Sequence, residues 1–255
     1  MQIKRELFFL HLYNFLFPLR VADGVWVLFL LARGYTLAQV GLAEGVYHLV
    51  SFCCEVPSGM AADLLGRRRT LLLSSLCGVC AALCMAFSRG FAGVCLSMAC
   101  QALMYNFCSG TLEALTYDSL KSAGAESLYL RQNALLRGAA EGSAALNTLL
   151  GGAAAVLGYF PAYLATALCS CACACAVLAL AEPQVTESQR RRTRHPLARL
   201  RPRLRAHAVQ CLAFLQGDPR AVWKLLAGAA LATPVYLTIM YMQQHLTACG
   251  LPPVF

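Results

Sequence analysis

The chain has 255 residues, of which 59% are hydrophobic and only 13% charged, and its mean hydropathy is +0.59. One water-soluble core cannot hide that much apolar surface, so a soluble globular domain is excluded and an integral membrane protein is expected. The formal net charge of +9 does not point to nucleic acid, because the basic residues gather between apolar runs without the aromatic interleaving of a nucleic-acid module.

Taken in order, Met1 to Glu6 form a short basic lead with Lys4 and Arg5, and the first span follows near Leu7 to Leu31. That run is longer than a signal peptide's apolar core, so it is expected to remain in the mature protein. Thr36 and Gln39 form a capping box that opens a second helix running to about Ala62, with a kink expected at Pro57. Helix 3 is expected from about Thr70 to Phe87, and helix 4 from about Phe91 to Tyr117 after the Ser88–Gly90 turn. Lys121 to Asn133 reads as a polar connection to helix 5, about Ala134 to Leu157. Helix 6 follows the Gly158–Pro161 turn and ends near Ala181.

Three regions result. Residues 1–181 form a six-helix bundle, 182–221 a basic linker, and 222–255 a seventh span, about Val222 to Leu246, with a short tail. The linker carries Arg190, Arg191, Arg192, Arg194, Arg199, Arg201, Arg203 and Arg205, with Pro183, Pro196 and Pro202 interrupting regular structure, and is expected to lie on anionic headgroups. Only Arg33 and Arg89 fall in loops on the opposite side, with Arg20 inside a span. The positive-inside rule therefore places the N-terminus, the loop after helix 2 and the linker in the cytoplasm, and the C-terminus outside. The bilayer of the plasma membrane is the expected setting.

Between helices 2 and 3 the chain reads Gly59-Met-Ala-Ala-Asp63-Leu-Leu-Gly66-Arg67-Arg68-Arg69. Gly59 permits close backbone approach, Asp63 offers a carboxylate to a neighbouring helix N-terminus, Gly66 suits a sharp helix end, and the arginines sit at phosphate depth. The fixed spacing Gly-x-x-x-Asp-x-x-Gly-Arg-Arg-Arg resembles the loop between helices 2 and 3 of major facilitator superfamily carriers, although Leu64 stands where the family pattern has a basic residue. Leu42–Gly45, Glu55–Gly59 and Glu113–Lys121 resemble helices 2 and 4 of a bacterial branch of that family, and Glu182-Pro183 after helix 6 also fits it.

The resemblance implies an all-α polytopic membrane bundle: the six-helix N-terminal half of a carrier, a basic cytoplasmic linker and a seventh transmembrane helix. It implies an ion pair between Arg67 and Asp118, and a conformational latch built from Gly59, Asp63, Gly66, Arg67, Arg68, Asp118 and Glu55 that holds the outward-facing state. A full carrier has two such halves about a midplane site. The chain is therefore expected to be a truncated carrier, an incomplete gene product, or a fragment that pairs with a complementary half-carrier chain. At the helix 5 motif associated with antiporters, Asn147 and Thr148 replace Gly-Pro while Gly151 and Gly152 remain, so that motif lends no support to proton-drug antiport. Gly41 with Gly45, and Gly138 with Gly142, are small-residue pairs that permit close helix packing.

Ionisable residues at membrane depth are costly and are functional candidates by default. Arg20 and Asp23, three residues apart in the first span, are read either as a substrate- or proton-responsive pair or as a structural ion pair. Glu55 falls on the face of Gly59 and Asp63, about 12 Å deeper at a rise of 1.5 Å per residue. Glu113 and Glu141 are candidates for the substrate or proton pathway. Tyr13, Asn14 and Gln101 could line a cavity, and His48 reads as a hydrogen-bonded helix histidine. The 14 cysteines lie mostly in apolar runs, and Cys169, Cys171, Cys173 and Cys175 alternate at i, i+2, which scatters them around a helix; no metal or cofactor is expected. No nucleophile–base pair or phosphate loop indicates an enzyme. The expected function is secondary transport of a small solute by alternating access, with protons the candidate coupling ion. The competing reading is a non-transporting membrane interaction module or the remnant of a carrier gene.

Overall fold

The computed structural model describes residues 2–183, 209–210 and 213–250, and the regular structure among them is helical. They fall into two units, one on each side of residue 194. The first unit contains α1 (Gln2–Leu16), α2 (Trp26–Ala32), α3 (Leu37–Leu65), α4 (Arg67–Phe87), α5 (Phe91–Cys108) and α6 (Thr111–Ser122). A 3-10 turn, Glu126–Leu128, leads into α7 (Tyr129–Leu157), and α8 (Tyr159–Leu178) completes the unit.

The expected second helix forms for the reason its sequence suggested. The Thr36 side chain accepts from the backbone N–H of Gln39 while the Gln39 side chain accepts from that of Thr36, closing the capping box, and Pro57 lies within the helix. The first span departs from the expectation. It is not one helix from Leu7 to Leu31: α1 stops at Leu16 and α2 begins only at Trp26. Pro18 has no N–H to continue the ladder and disfavours helical geometry at Phe17, so the apolar run is broken where a hydropathy reading sees continuity. The fourth span likewise bends, at Ser109-Gly110, where Gly110 adopts φ 68°. The connection before helix 5 is shorter than expected, because α7 already starts at Tyr129.

Within this unit α4 packs between α5 and α8, α3 lies on α5, and α1 contacts α6, α7 and α8. Leu10 and Tyr13 of α1, Leu71 of α4, Leu115 of α6 and Val177 of α8 meet in one fully buried cluster. Small and hydroxylated residues bring the helices close. A Cβ added at Gly78 would come within 2.9 Å of Ser170 Oγ, while Ser74 Oγ donates to Met104 O and Ser97 Oγ to Ala81 O, each at 2.7 Å. Large apolar side chains such as Phe52, Leu130, Leu149 and Leu168 stand on the outside, where a bilayer would receive them.

Among the described residues, five stretches are long and apolar enough to cross a membrane: Leu37–Leu65, Arg67–Phe87, Phe91–Ser122, Tyr159–Leu178 and Pro219–Thr238. The broken first span is not one of them. Neither is α7, whose apolar run is diluted by residues such as Arg137, Glu141 and Asn147. The second unit contains α9 (Pro219–Ala248), which starts where Asp218 Oδ1 accepts from the backbone N–H of Arg220 at 3.0 Å, with Pro219 at the first helical position. Most of the predicted linker and the tail after Gly250 lie outside the described residues.

Candidate functional site

Gly66 is both the last cap of α3 and the first of α4, at φ 101°, a conformation that side-chain-bearing residues rarely adopt. It offers no side chain to the N–H groups opening α4, and these are met from elsewhere. Glu182, just beyond α8, accepts from the backbone N–H of Arg67 at 2.8 Å and of Arg68 at 3.0 Å. A carboxylate at a helix N-terminus satisfies orphan donors and complements the helix dipole. In return the Arg68 guanidinium donates to the carbonyls of Val177 at 3.1 Å and Leu178 at 2.6 Å, at the C-terminus of α8. Arg67 Nη1 lies 2.8 Å from Asp118 Oδ2 and also donates to the Ala114 carbonyl, which ties α4 to α6.

The motif thus divides into two parts. Arg67, Arg68, Gly66 and the buried Asp118 are knit into the bundle, whereas Gly59 and Asp63 are exposed, and a Cβ at Gly59 would meet nothing within 4 Å. The N-terminus of α4 is complemented by Glu182. Glu182-Pro183 stood in the sequence only as part of the family resemblance, and no local periodicity links it to Arg67.

Arg20 and Asp23 sit in the break between α1 and α2, not on a helix face. Arg20 is only 4% exposed; its Nε donates to Asp23 Oδ2 at 2.6 Å, and its guanidinium lies 5.6 Å from the Tyr105 ring centroid. Gln101 at 3.4 Å and the Tyr105 hydroxyl at 3.5 Å also donate to Asp23 Oδ2, and Asn147 donates to the Arg20 carbonyl at 3.2 Å. Gly151 of α7 brings its backbone against Gly24 and Val21, so this half of the antiporter-type motif serves close packing on the broken span.

Beside this network opens a cavity of about 480 Å³, lined by α1, α3, α5, α6 and α7. Asn14, Tyr47, Ser51, Glu55, Tyr105 and Glu113 contribute its polar and aromatic surface. Glu55 is therefore on the cavity wall, and Glu113 faces the same space with Arg137 at 3.8 Å. Glu141 is exposed and outside the lining. Of the other cavity candidates Asn14 lines the space, Tyr13 is fully buried in the core, and Gln101 is engaged with Asp23. His48 pairs with Glu44 at 3.3 Å, one helical turn away. On α8, Cys173 is buried while Cys171 and Cys175 are exposed.

A pocket of this size with a few convergent polar groups can hold a small molecule, and the charged corner at the α3–α4 turn couples four chain segments through directional bonds. A search of the curated proteins finds no match to this chain. The family model described as Major Facilitator Superfamily matches residues 12–254, and the chain belongs to that superfamily, a family of multi-pass membrane transporters.

Proposed function

We propose that the protein is a secondary transporter that moves a small solute across the plasma membrane by alternating access, with its N-terminus and the Gly59–Arg69 loop on the cytoplasmic side. The observation that carries this reading is the division of the motif: Arg67 is bonded to Asp118 and Arg68 to the end of α8, while Gly59 and Asp63 lie exposed on the same corner. An anchored arginine pair beside an exposed glycine and carboxylate suits a surface that docks a second bundle in one state and releases it in another. The solute would enter the cavity beside Arg20 and Asp23, and protons are the candidate coupling ion. The lysines and arginines concentrated on one side support the orientation.

The test is transport of a solute panel by the full-length protein in membrane vesicles. Asp63→Asn and Gly59→Val should impair uptake or efflux while membrane insertion is preserved. Unchanged transport in both variants would remove the latch role, and absence of transport by the inserted, folded wild-type protein across the panel would favour an interaction module.

A further inference from the structure

We infer that the cavity selects organic cations, an amine or quaternary ammonium group carried on an aromatic or branched apolar body. This rests on the cavity being the solute site. Among the described residues, the charged side chains that line it are Glu55 and Glu113, with no lysine or arginine. Two basic side chains lie nearby. Arg20, behind the Tyr105 ring, is committed to Asp23 at 2.6 Å, and Arg137 reaches Glu113 at 3.8 Å. Among the described residues no basic side chain pairs with Glu55, and its carboxylate gives this wall of the cavity a negative charge that those residues leave available.

Four side-chain donors on the wall are engaged within the protein. The Asn14 amide donates to the Leu136 carbonyl, Ser51 Oγ to Asn106 Oδ1 at 2.9 Å, Asn106 Nδ2 to the Ser51 carbonyl at 2.8 Å, and the Tyr105 hydroxyl to Asp23 at 3.5 Å. An anionic solute would meet two carboxylates and, among the described lining residues, no cationic side chain to offset them. A cation instead meets a carboxylate and aromatic faces. Phe17 and Tyr47 each stand edge-to-face with Tyr105, at centroid separations of 5.7 Å and 6.4 Å, and all three rings line the cavity. Ring faces attract a positive charge, and more strongly where water is excluded.

The experiment measures equilibrium binding of radiolabelled tetraphenylphosphonium to the full chain in lipid nanodiscs. The competitors are benzyltrimethylammonium, its neutral isostere neopentylbenzene, and the anion benzylsulfonate. Binding should be saturable and displaced by the ammonium compound, but not by the neutral or anionic compound at the same concentration. Glu55→Gln should weaken it at least about tenfold, the loss expected when the carboxylate facing the bound cation is removed. Glu113→Gln should weaken it less, because Arg137 already offsets Glu113, and Glu55→Asp should retain most of the affinity. Equal displacement by the neutral or anionic competitor, undiminished binding by a monodisperse Glu55→Gln protein, or no saturable binding by the folded chain would each overturn the inference. If Glu55→Gln does not fold, the competition series on the unmodified chain still makes the discrimination. Glu55-dependent cation binding without transport would overturn only the transporter reading, whereas transport of neutral or anionic solutes without cation binding would overturn only the cation inference.

Discussion

The bundle contains two arginine–aspartate pairs of similar length that are assembled in different ways. Arg20 and Asp23 are three positions apart in one broken segment, so their pairing does not itself require two helices to dock. Arg67 and Asp118 come from α4 and α6 and meet only because those helices are docked. A local pair neutralises a charge that the fold has buried, while a pair between helices reports whether two elements are in place. The first should therefore govern stability, and the second should bias conformational equilibrium.

The largest expected effect tests the local pair. Side-chain exposure is 5% for Arg20 and 28% for Asp23, so Asp23→Asn strands a guanidinium that cannot shed its proton. We expect a loss of about 3 kcal/mol, the lower end for breaking a buried pair, since Asp23 retains some solvent. The double replacement Arg20→Gln with Asp23→Asn should recover much of that loss. Melting of the purified protein in detergent reads both. If single and double variants lose the same stability, the two residues do not act as a pair.

The pair between helices should respond differently. Arg67→Gln removes the bond to Asp118 and the one to the Ala114 carbonyl, at a cost of about 1–2 kcal/mol for a partly exposed charged donor. Its distinguishing effect should be a changed rate of maleimide labelling at Cys108, which lines the cavity, resolved by mass spectrometry. The Arg20–Asp23 double variant should leave that rate near the wild-type value once refolded protein is selected. A shift in both, or in neither, would erase the division of labour.

How much of this was legible in the sequence follows from the range over which each signal acts. The Thr36–Gln39 capping box and the Gly66 turn are set by neighbours within a few positions, and the structure shows both. The contact of Arg67 with Asp118 was expected from the family resemblance alone, because no spacing rule connects residues on helices separated by two further turns of chain. Hydropathy averages over a window and so passed across Pro18 and Gly24, where the ladder of backbone bonds breaks. The position of Glu55 on the cavity wall depends on how α3 rotates against α5, which a helix's own periodicity leaves open once both faces are apolar enough for lipid. That uncertainty is intrinsic to membrane helices, since the outward face is no more polar than the inward one.

The smallest expected effect concerns Glu182, and it asks whether the corner acts as one assembly or as separate contacts. Its carboxylate meets the first two N–H groups of α4, whose cap, Gly66, has no side chain, while Arg68 on that same turn closes the C-terminus of α8. The two bonds face each other across one helix–helix junction, so each holds the partner geometry that the other needs. Glu182→Gln keeps an oxygen acceptor and loses the charge, and should cost about 0.5–1 kcal/mol, the size of a helix-dipole interaction. Glu182→Ala also loses the cap and should cost about 1–2 kcal/mol. Hydrogen exchange at the Arg67 and Arg68 amides should accelerate in the alanine variant more than in the glutamine variant, and maleimide labelling at Cys108 should follow the direction set by Arg67→Gln. Faster amide exchange with unchanged labelling would make Glu182 a helix cap and nothing more. Coupled changes would place the start of the linker within the same switch as Arg67 and Asp118, so that displacement of the linker and release of the α4–α6 tie become one event.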